Sequence, residues 1–214
     1  MRKLLLFTFV AFYFSSLTHA QIRKGSVLLG GSLSFSSGKN DINGIENKGT
    51  NVYISPSLGI AVRDNWVVGA SAGFSSRIDK GNNTSWHVEE DGIQTGAFVR
   101  RYLQLSKSFY LYGEGNVRYS TFERNENSNT TELRNYKTKS ISASVIPGIT
   151  FAVSKRVHLE AYINELISLG YNKTTLERIS LGERNYEKSN GIYLATNFST
   201  TNPLSIGFRF LLGK

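Results

Sequence analysis

From Gly25 almost to its last residue the chain alternates apolar residues with polar or small ones. A period of two does not suit a helix, and it commits nearly the whole chain to β-strands with one apolar face. In the first run Val27, Leu29, Leu33 and Phe35 oppose Ser26, Ser32, Ser34 and Ser36. The second sets Val52, Ile54, Leu58, Ile60 and Val62 against Tyr53, Ser55, Ser57, Gly59 and Ala61; the third sets Trp66, Val68, Ala70, Ala72 and Phe74 against Gly69, Ser71, Gly73 and Ser75. The fourth carries Ile93, Thr95, Ala97 and Val99, and the fifth Phe109, Leu111, Val117 and Tyr119. The sixth runs from Ile141 to Val153, the seventh from Val157 to Leu169, and the eighth from Ile192 through Phe198 to Leu212.

The links between these runs alternate in length. Short turns lie at Asp64 and Asn65, at Gln104 to Lys107 and at Ser154 to Arg156. Long polar loops are expected at Ser37 to Gly49, Arg77 to Glu89, Thr121 to Lys137 and Asn172 to Ser189. Short turns at one end and long loops at the other are the pattern of a transmembrane barrel, with an even strand number returning both termini to the short-turn side.

Alternation alone also fits a soluble ligand-binding barrel, which would need no detergent for extraction. The polar face decides between them. A sheet face in water carries Lys and Glu, and sheet edges in particular are protected by Lys. Across the eight runs the non-apolar face has no Lys; it is Ser, Gly, Asn and Tyr, with Arg100, Glu114, Arg118, Glu160 and Arg209 as its strong charges and His158 beside them. Small residues and a few charges that can pair suit a narrow barrel interior. Trp66, Phe109 and Phe151 near the short turns, and Phe35, Phe74 and Tyr119 near the long loops, fit two interfacial girdles. The expected fold is therefore all-β, an eight-stranded antiparallel up-and-down transmembrane β-barrel.

Arg2 and Lys3, an apolar stretch from Leu4 to Phe14, and small Thr18 and Ala20 form a secretory signal peptide over residues 1–20, cleaved before Gln21. Residues 21–214 are then one barrel domain. Nothing after Gln21 is long and apolar enough for a transmembrane helix. The absence of cysteine excludes a disulfide framework, a thiolate metal site, a cysteine nucleophile and a lipid-modified cysteine. Net charge is +9, and without Arg2 and Lys3 the 23 basic and 16 acidic residues leave +7. In an exported chain that balance points to anionic lipid, not nucleic acid.

The chain resembles the small outer-membrane β-barrel family typified by the OmpA transmembrane domain and OmpX, and the porin-family outer-membrane β-barrel proteins of Bacteroidetes. The resemblance spans residues 25 to 212 and is most specific in the last strand, "LSIGFRFLL". There Ser205, Gly207, Phe210 and Leu212 look like the signal read by the barrel assembly machinery, although the chain continues to Gly213 and Lys214 where an aromatic residue ends that signal. The resemblance implies residence in the bacterial outer membrane and contact with outer-membrane lipid and lipopolysaccharide; with the eighth strand at the end of the chain, no peptidoglycan-binding domain is expected after the barrel.

No catalytic, cofactor or metal motif stands out. The five charges Arg100, Glu114, Arg118, Glu160 and Arg209 are expected to meet in the lumen, as a salt-bridge network or as the gate of a narrow conduit. Tyr53, Tyr110, Tyr112 and Tyr162 would help to fill it. His158 and Glu160 could serve a lipid A-modifying enzyme, but no Ser is matched to them and they sit at the short-turn end. Gly30, Gly31, Gly69 and Gly73 precede no helix and carry no phosphate-loop Lys, so they read as close-packing positions. Glu165 falls on the lipid-facing phase, where a headgroup-level position or a bulge near Asn164 would spare it from hydrocarbon. Bulges are also expected at Pro56, Pro147 and Pro203. The long loops are the expected functional surface, for lipopolysaccharide phosphates or an external ligand. The overall expectation is a non-enzymatic barrel for envelope integrity or surface interaction, with a small-solute channel as the alternative.

Overall fold

The computed structural model describes residues 22–42, 45–81, 87–127, 132–180, 183–196 and 204–213. Residues 1–20, expected as a signal peptide, lie outside them, as do Phe198, Pro203 and the centres of the four outer connections.

Ten strand segments form one antiparallel sheet: β1 (Val27–Ile42), β2 (Ile45–Arg63), β3 (Trp66–Gly81), β4 (His87–Gln104), β5 (Phe109–Asn127), β6 (Glu132–Ala152), β7 (Val157–Ile163), β8 (Ile167–Ser180), β9 (Glu183–Thr196) and β10 (Leu204–Leu212). Each strand from β1 to β7 pairs with the next, β7 pairs with β10, and β10 returns to β1, closing a ring of eight. Where the eight strands pair around the ring no strand edge is left free, as a sheet in lipid requires. The β8–β9 pair stands outside this ring and extends the wall above it from β6.

The side chains are distributed inside out relative to a soluble protein. Leu29, Leu58, Ile93, Val117, Ile141 and Phe208 face outward and are exposed, whereas Arg100, Glu114, Glu160 and Arg209 are buried. An exposed apolar belt around a polar interior is what hydrocarbon outside and water inside demand. At the short-turn rim Phe109 and Phe151 are register partners with ring centroids 4.8 Å apart, and Arg101 lies over the Trp66 ring at 5.3 Å. The turns there are locked locally. The Ser106 hydroxyl accepts from the Phe109 amide at 3.2 Å, the Ser154 hydroxyl accepts from the Val157 amide at 3.0 Å, and Asn65 supplies the left-handed residue (φ 62°) of the two-residue turn.

Three expectations need correction. The long loops are mostly strand: β1 and β2 stay paired out to Ile42 and Ile45, and β5 and β6 out to Asn127 and Leu133. Beyond the membrane both faces of a sheet meet water, so pairing continues after the apolar alternation has ended. The 19 residues of β5 run about 60 Å at ~3.3 Å each, roughly twice what a span of hydrocarbon needs.

The seventh and eighth runs are each split. Gly148 of β6 pairs with Tyr162, but Val145 pairs with Ile167, so the two residues between them on one strand face four on the other. The two extra residues form the bulge expected near Asn164, with Glu165 left-handed at φ 47°.

Pro56 makes no bulge, and the bulge at Pro147 is in the strand opposite it. The β1–β2 register runs through Gly31↔Pro56 unshifted, and β5–β6 runs through Gly113↔Pro147. Pro56 lies where the β2–β3 ladder skips Ser55 and Pro56, and Pro147 lies opposite the bulge. Each missing N–H therefore points at a place where no acceptor waits. Pro203 lies outside the described residues. The shift in β2 comes instead between Ala61 and Arg63, beside the turn.

Candidate functional site

The lumen is layered from the short-turn end outward. Its floor is a cluster of Ile22, Leu28, Ala61, Val67, Ala152 and Leu211 with Phe98, Tyr102, Tyr110 and Tyr112. Ile22 reaches this cluster because residues 22–26 fold under the barrel: its carbonyl accepts from the Asn65 amide at 2.9 Å, and the Lys24 amide donates to Asp64 Oδ1 at 2.8 Å. Nothing in the sequence marks Ile22, a lone apolar residue between Gln21 and Arg23. Tyr112 can lie flat against the wall because Gly148 faces it; a Cβ there would stand 2.5 Å from the Tyr112 ring.

Above the floor sits the charge layer. Arg100 grips Glu114 with two nitrogens, Nε at 2.8 Å and Nη2 at 2.6 Å, and its Nη1 donates to Glu160 Oε1 at 2.7 Å. Arg209 Nε donates to Glu160 Oε2 at 2.7 Å, and its Nη1 donates to the Ser57 hydroxyl at 3.1 Å. The Tyr102 hydroxyl donates to Glu160 at 3.3 Å, and the Arg100 guanidinium lies 4.0 Å from the Tyr112 ring centre. Two guanidiniums and two carboxylates balance, and each Glu160 oxygen has a donor. Burial here is possible because pairing offsets the loss of water.

Arg118 does not join the other four expected charges. It stands higher, on the outer half of β5, and donates to Glu165 at 2.5 Å. The bulge has turned Glu165 off the lipid phase to reach it. This pair is a quarter to a third exposed, at 26% and 32%, so water screens it. Arg118→Ala should therefore cost no more than about 1 kcal/mol in urea unfolding from lipid vesicles; a loss several times larger would mean the pair is as dry as the layer below.

His158 lies within the floor region, fully buried, its ring stacked with Tyr110 at 6.3 Å. Neither ring nitrogen has a hydrogen-bond partner, and Glu160 beside it is held by two arginines. Among the described residues no Ser hydroxyl hydrogen-bonds to the ring, so the nucleophile–base contact of a Ser–His pair is not formed here. Among the described residues no group of three or more His, Cys, Asp or Glu side chains could hold a metal ion.

The outer half of the lumen is a polar cup of about 850 Å³, walled by Ser, Asn, Gln and Tyr with Arg100, Glu160 and Arg209 as its base. Gln94 donates to the Tyr53 hydroxyl at 2.5 Å and Asn164 to Ser205 at 2.5 Å. Tyr53 and Tyr162 line the cup, while Tyr110 and Tyr112 fill the floor. Of the expected assembly-signal residues, Ser205 and Gly207 face the lumen, and Phe210 and Leu212 face outward on β10.

Residues 6–206 match the family described as outer membrane protein beta-barrel domain. No curated protein matches the chain. Among solved structures it is similar to the outer membrane protein OprG from Pseudomonas aeruginosa, with 13% identity and a TM-score of 0.54 over 92% of this chain and 100% of that one. It is also similar to Neisserial surface protein A, NspA, with 16% identity and a TM-score of 0.41 over 87% of this chain and 97% of the other. At such identities the likeness to OprG is one of fold.

Proposed function

We propose that this chain, which belongs to the outer membrane protein beta-barrel domain family and resides in the bacterial outer membrane, is a non-conducting, non-enzymatic barrel that acts at its outer end. The observation that carries this reading is the double closure of the lumen. A solute entering the cup meets Glu160 bound by Arg100 and Arg209, and below it the apolar floor sealed by Ile22. Opening a path means parting buried ion pairs and unseating packed side chains together, and both cost several kcal/mol. Contacts are then left to the cup and to the paired hairpins that stand outside the membrane, which carry Arg77, Arg124, Arg134, Lys137 and Arg178 among their charges. Arg77, Arg124, Lys137 and Arg178 are ion-paired there with Asp79, Glu126, Glu123 and Glu187, so phosphate groups of lipopolysaccharide or an acidic external ligand would bind by taking the place of those carboxylates.

A small-solute channel is the second reading, favoured by the volume and polarity of the cup. Planar bilayers separate the two. The purified protein should show no steady conductance at any voltage that leaves the bilayer intact. Stable ohmic steps would overturn the closed-floor reading.

A further inference from the structure

On the outward face of the wall the register sets the side chains of β5, β6, β8 and β9 in rows. The girdle residue Tyr119 begins one row, through Tyr119↔Ile141, Ile141↔Tyr171 and Tyr171↔Ile192, and all four side chains are exposed. Two residues farther out, Lys139 of β6 stands directly opposite Lys173 of β8, and in the row beyond them Lys188 of β9 stands opposite Thr175. All three lysines are exposed. They point away from the lumen, since the neighbouring Thr138 and Thr174 hydroxyls meet at 3.0 Å on the other face of the same two strands.

Like charges set directly across a strand pair, with Cβ atoms about 5 Å apart, repel and destabilise the sheet. Elsewhere on the hairpins a carboxylate offsets such charge: Lys137, in the row above Lys139, pairs with Glu123 at 3.2 Å, and Arg124 pairs with Glu126 at 2.7 Å. Among the described residues no carboxylate pairs with Lys139, Lys173 or Lys188. The outward acids of these four strands are Glu123, which Lys137 holds, and Glu177, which accepts from the Tyr186 hydroxyl at 2.9 Å and lies 3.6 Å from Arg184. Below the girdle row the same face is apolar, with Leu169 and Leu194 exposed as register partners. The lysines therefore stand where the hydrocarbon ends, their stems able to lie along Ile141 and Tyr171 while the ammonium groups reach headgroup level.

We infer that Lys139, Lys173 and Lys188 form a binding site for a phosphate group of an outer-leaflet glycolipid, whose acyl chains lie against Leu169 and Leu194. A phosphate is compact and carries the charge that relieves the repulsion between the two opposed lysines, and an ammonium meets it as a point charge without needing a planar fork. A soluble phosphate could meet the same ammonium groups, but only a lipid also covers the apolar residues beneath them. The inference rests on the reading that the barrel acts at its outer end and gives that reading a definite place. Here the phosphate displaces no carboxylate. The two fail separately, because conductance tests the closed floor and lipid binding tests this face of the wall.

The experiment equilibrates the full chain in detergent with diphosphoryl lipid A and counts bound lipid by native mass spectrometry. Each ammonium at a membrane surface is worth several-fold in affinity, so Lys139→Gln with Lys173→Gln should weaken binding by about thirty-fold. Lys139→Arg with Lys173→Arg should keep it within about three-fold of the parent, since charge is what the site supplies. Lys107→Gln with Lys155→Gln, which removes the same charge at the short-turn end, should leave it unchanged. Lipid A stripped of its phosphates should bind the parent as weakly as the phosphorylated lipid binds the Gln pair. Heat-modifiable migration on a gel confirms that each variant is folded. Parent-like binding by the Gln pair, equal binding of the two lipids, or no binding by the parent overturns the site. Displacement of the lipid by millimolar inorganic phosphate would assign the lysines to a soluble anion and overturn the lipid as occupant.

Discussion

Glu160→Ala should give the least stable folded barrel of any single side-chain truncation in the lumen, with about 3–5 kcal/mol lost from unfolding in urea. Glu160 is the acceptor that both buried guanidiniums share, through Arg100 Nη1 and Arg209 Nε at 2.7 Å each. Removing it leaves Arg100 and Arg209 with only Glu114 between them, a net positive charge in a space that water enters poorly. The penalty is chiefly that of stranded charges, not of lost attraction, and this makes the prediction specific. Replacing the set together, as Arg100→Met, Glu160→Leu and Arg209→Met, should cost less than Glu160→Ala alone, because no orphan charge remains. Migration of unboiled samples on a gel across a temperature series would report the order of the variants. A Glu160→Ala protein within about 1 kcal/mol of the parent would mean the layer is wet, and with it would go the argument that the floor blocks conduction.

The layers were legible to different degrees, for physical reasons. Period two survives wherever one face meets lipid and the other the lumen, so Val27–Phe35, Trp66–Phe74 and Phe109–Tyr119 could be read as spans directly. It vanishes where both faces are wet. Lys39 opposite Lys48 and Glu123 opposite Lys137 therefore look like loop in the sequence although their backbones are paired. The charge layer was only partly readable. Parity placed five charges on the lumen face, but parity carries no height, and it is height along the barrel axis that separates Arg118 from Arg100. The bulge is a count of residues between two ladders, visible only once β6 is seen to pair with both β7 and β8. The prolines misled for a related reason. A missing N–H matters only if an acceptor faces it, and the sequence does not say which side of Pro56 or Pro147 lacks a partner. Ile22 was out of reach because its burial depends on a chain turn at Gly25 (φ 86°), whose direction no periodicity encodes.

The face assignment itself yields a test on adjacent residues with opposite outcomes. Ala70 lies midway between the girdle residues Trp66 and Phe74, points outward and pairs across the wall with Leu58 and Ala97. Ser71, the next residue, lines the cup. Ala70→Arg puts a guanidinium into hydrocarbon near the midplane and should cost about 2–4 kcal/mol, with part of the protein failing to insert into vesicles. Ser71→Arg puts the same group into a polar space of about 850 Å³, where it can stay hydrated, and should stay within about 1 kcal/mol of the parent. The comparison cancels strand propensity and side-chain size, since one substitution is made one residue apart on one strand. What remains is the solvent that each face meets. Equal costs would say that neither face sees lipid at that height. A larger cost at Ser71 would put the apolar face inside, and the chain would then be the soluble barrel that alternation alone allows.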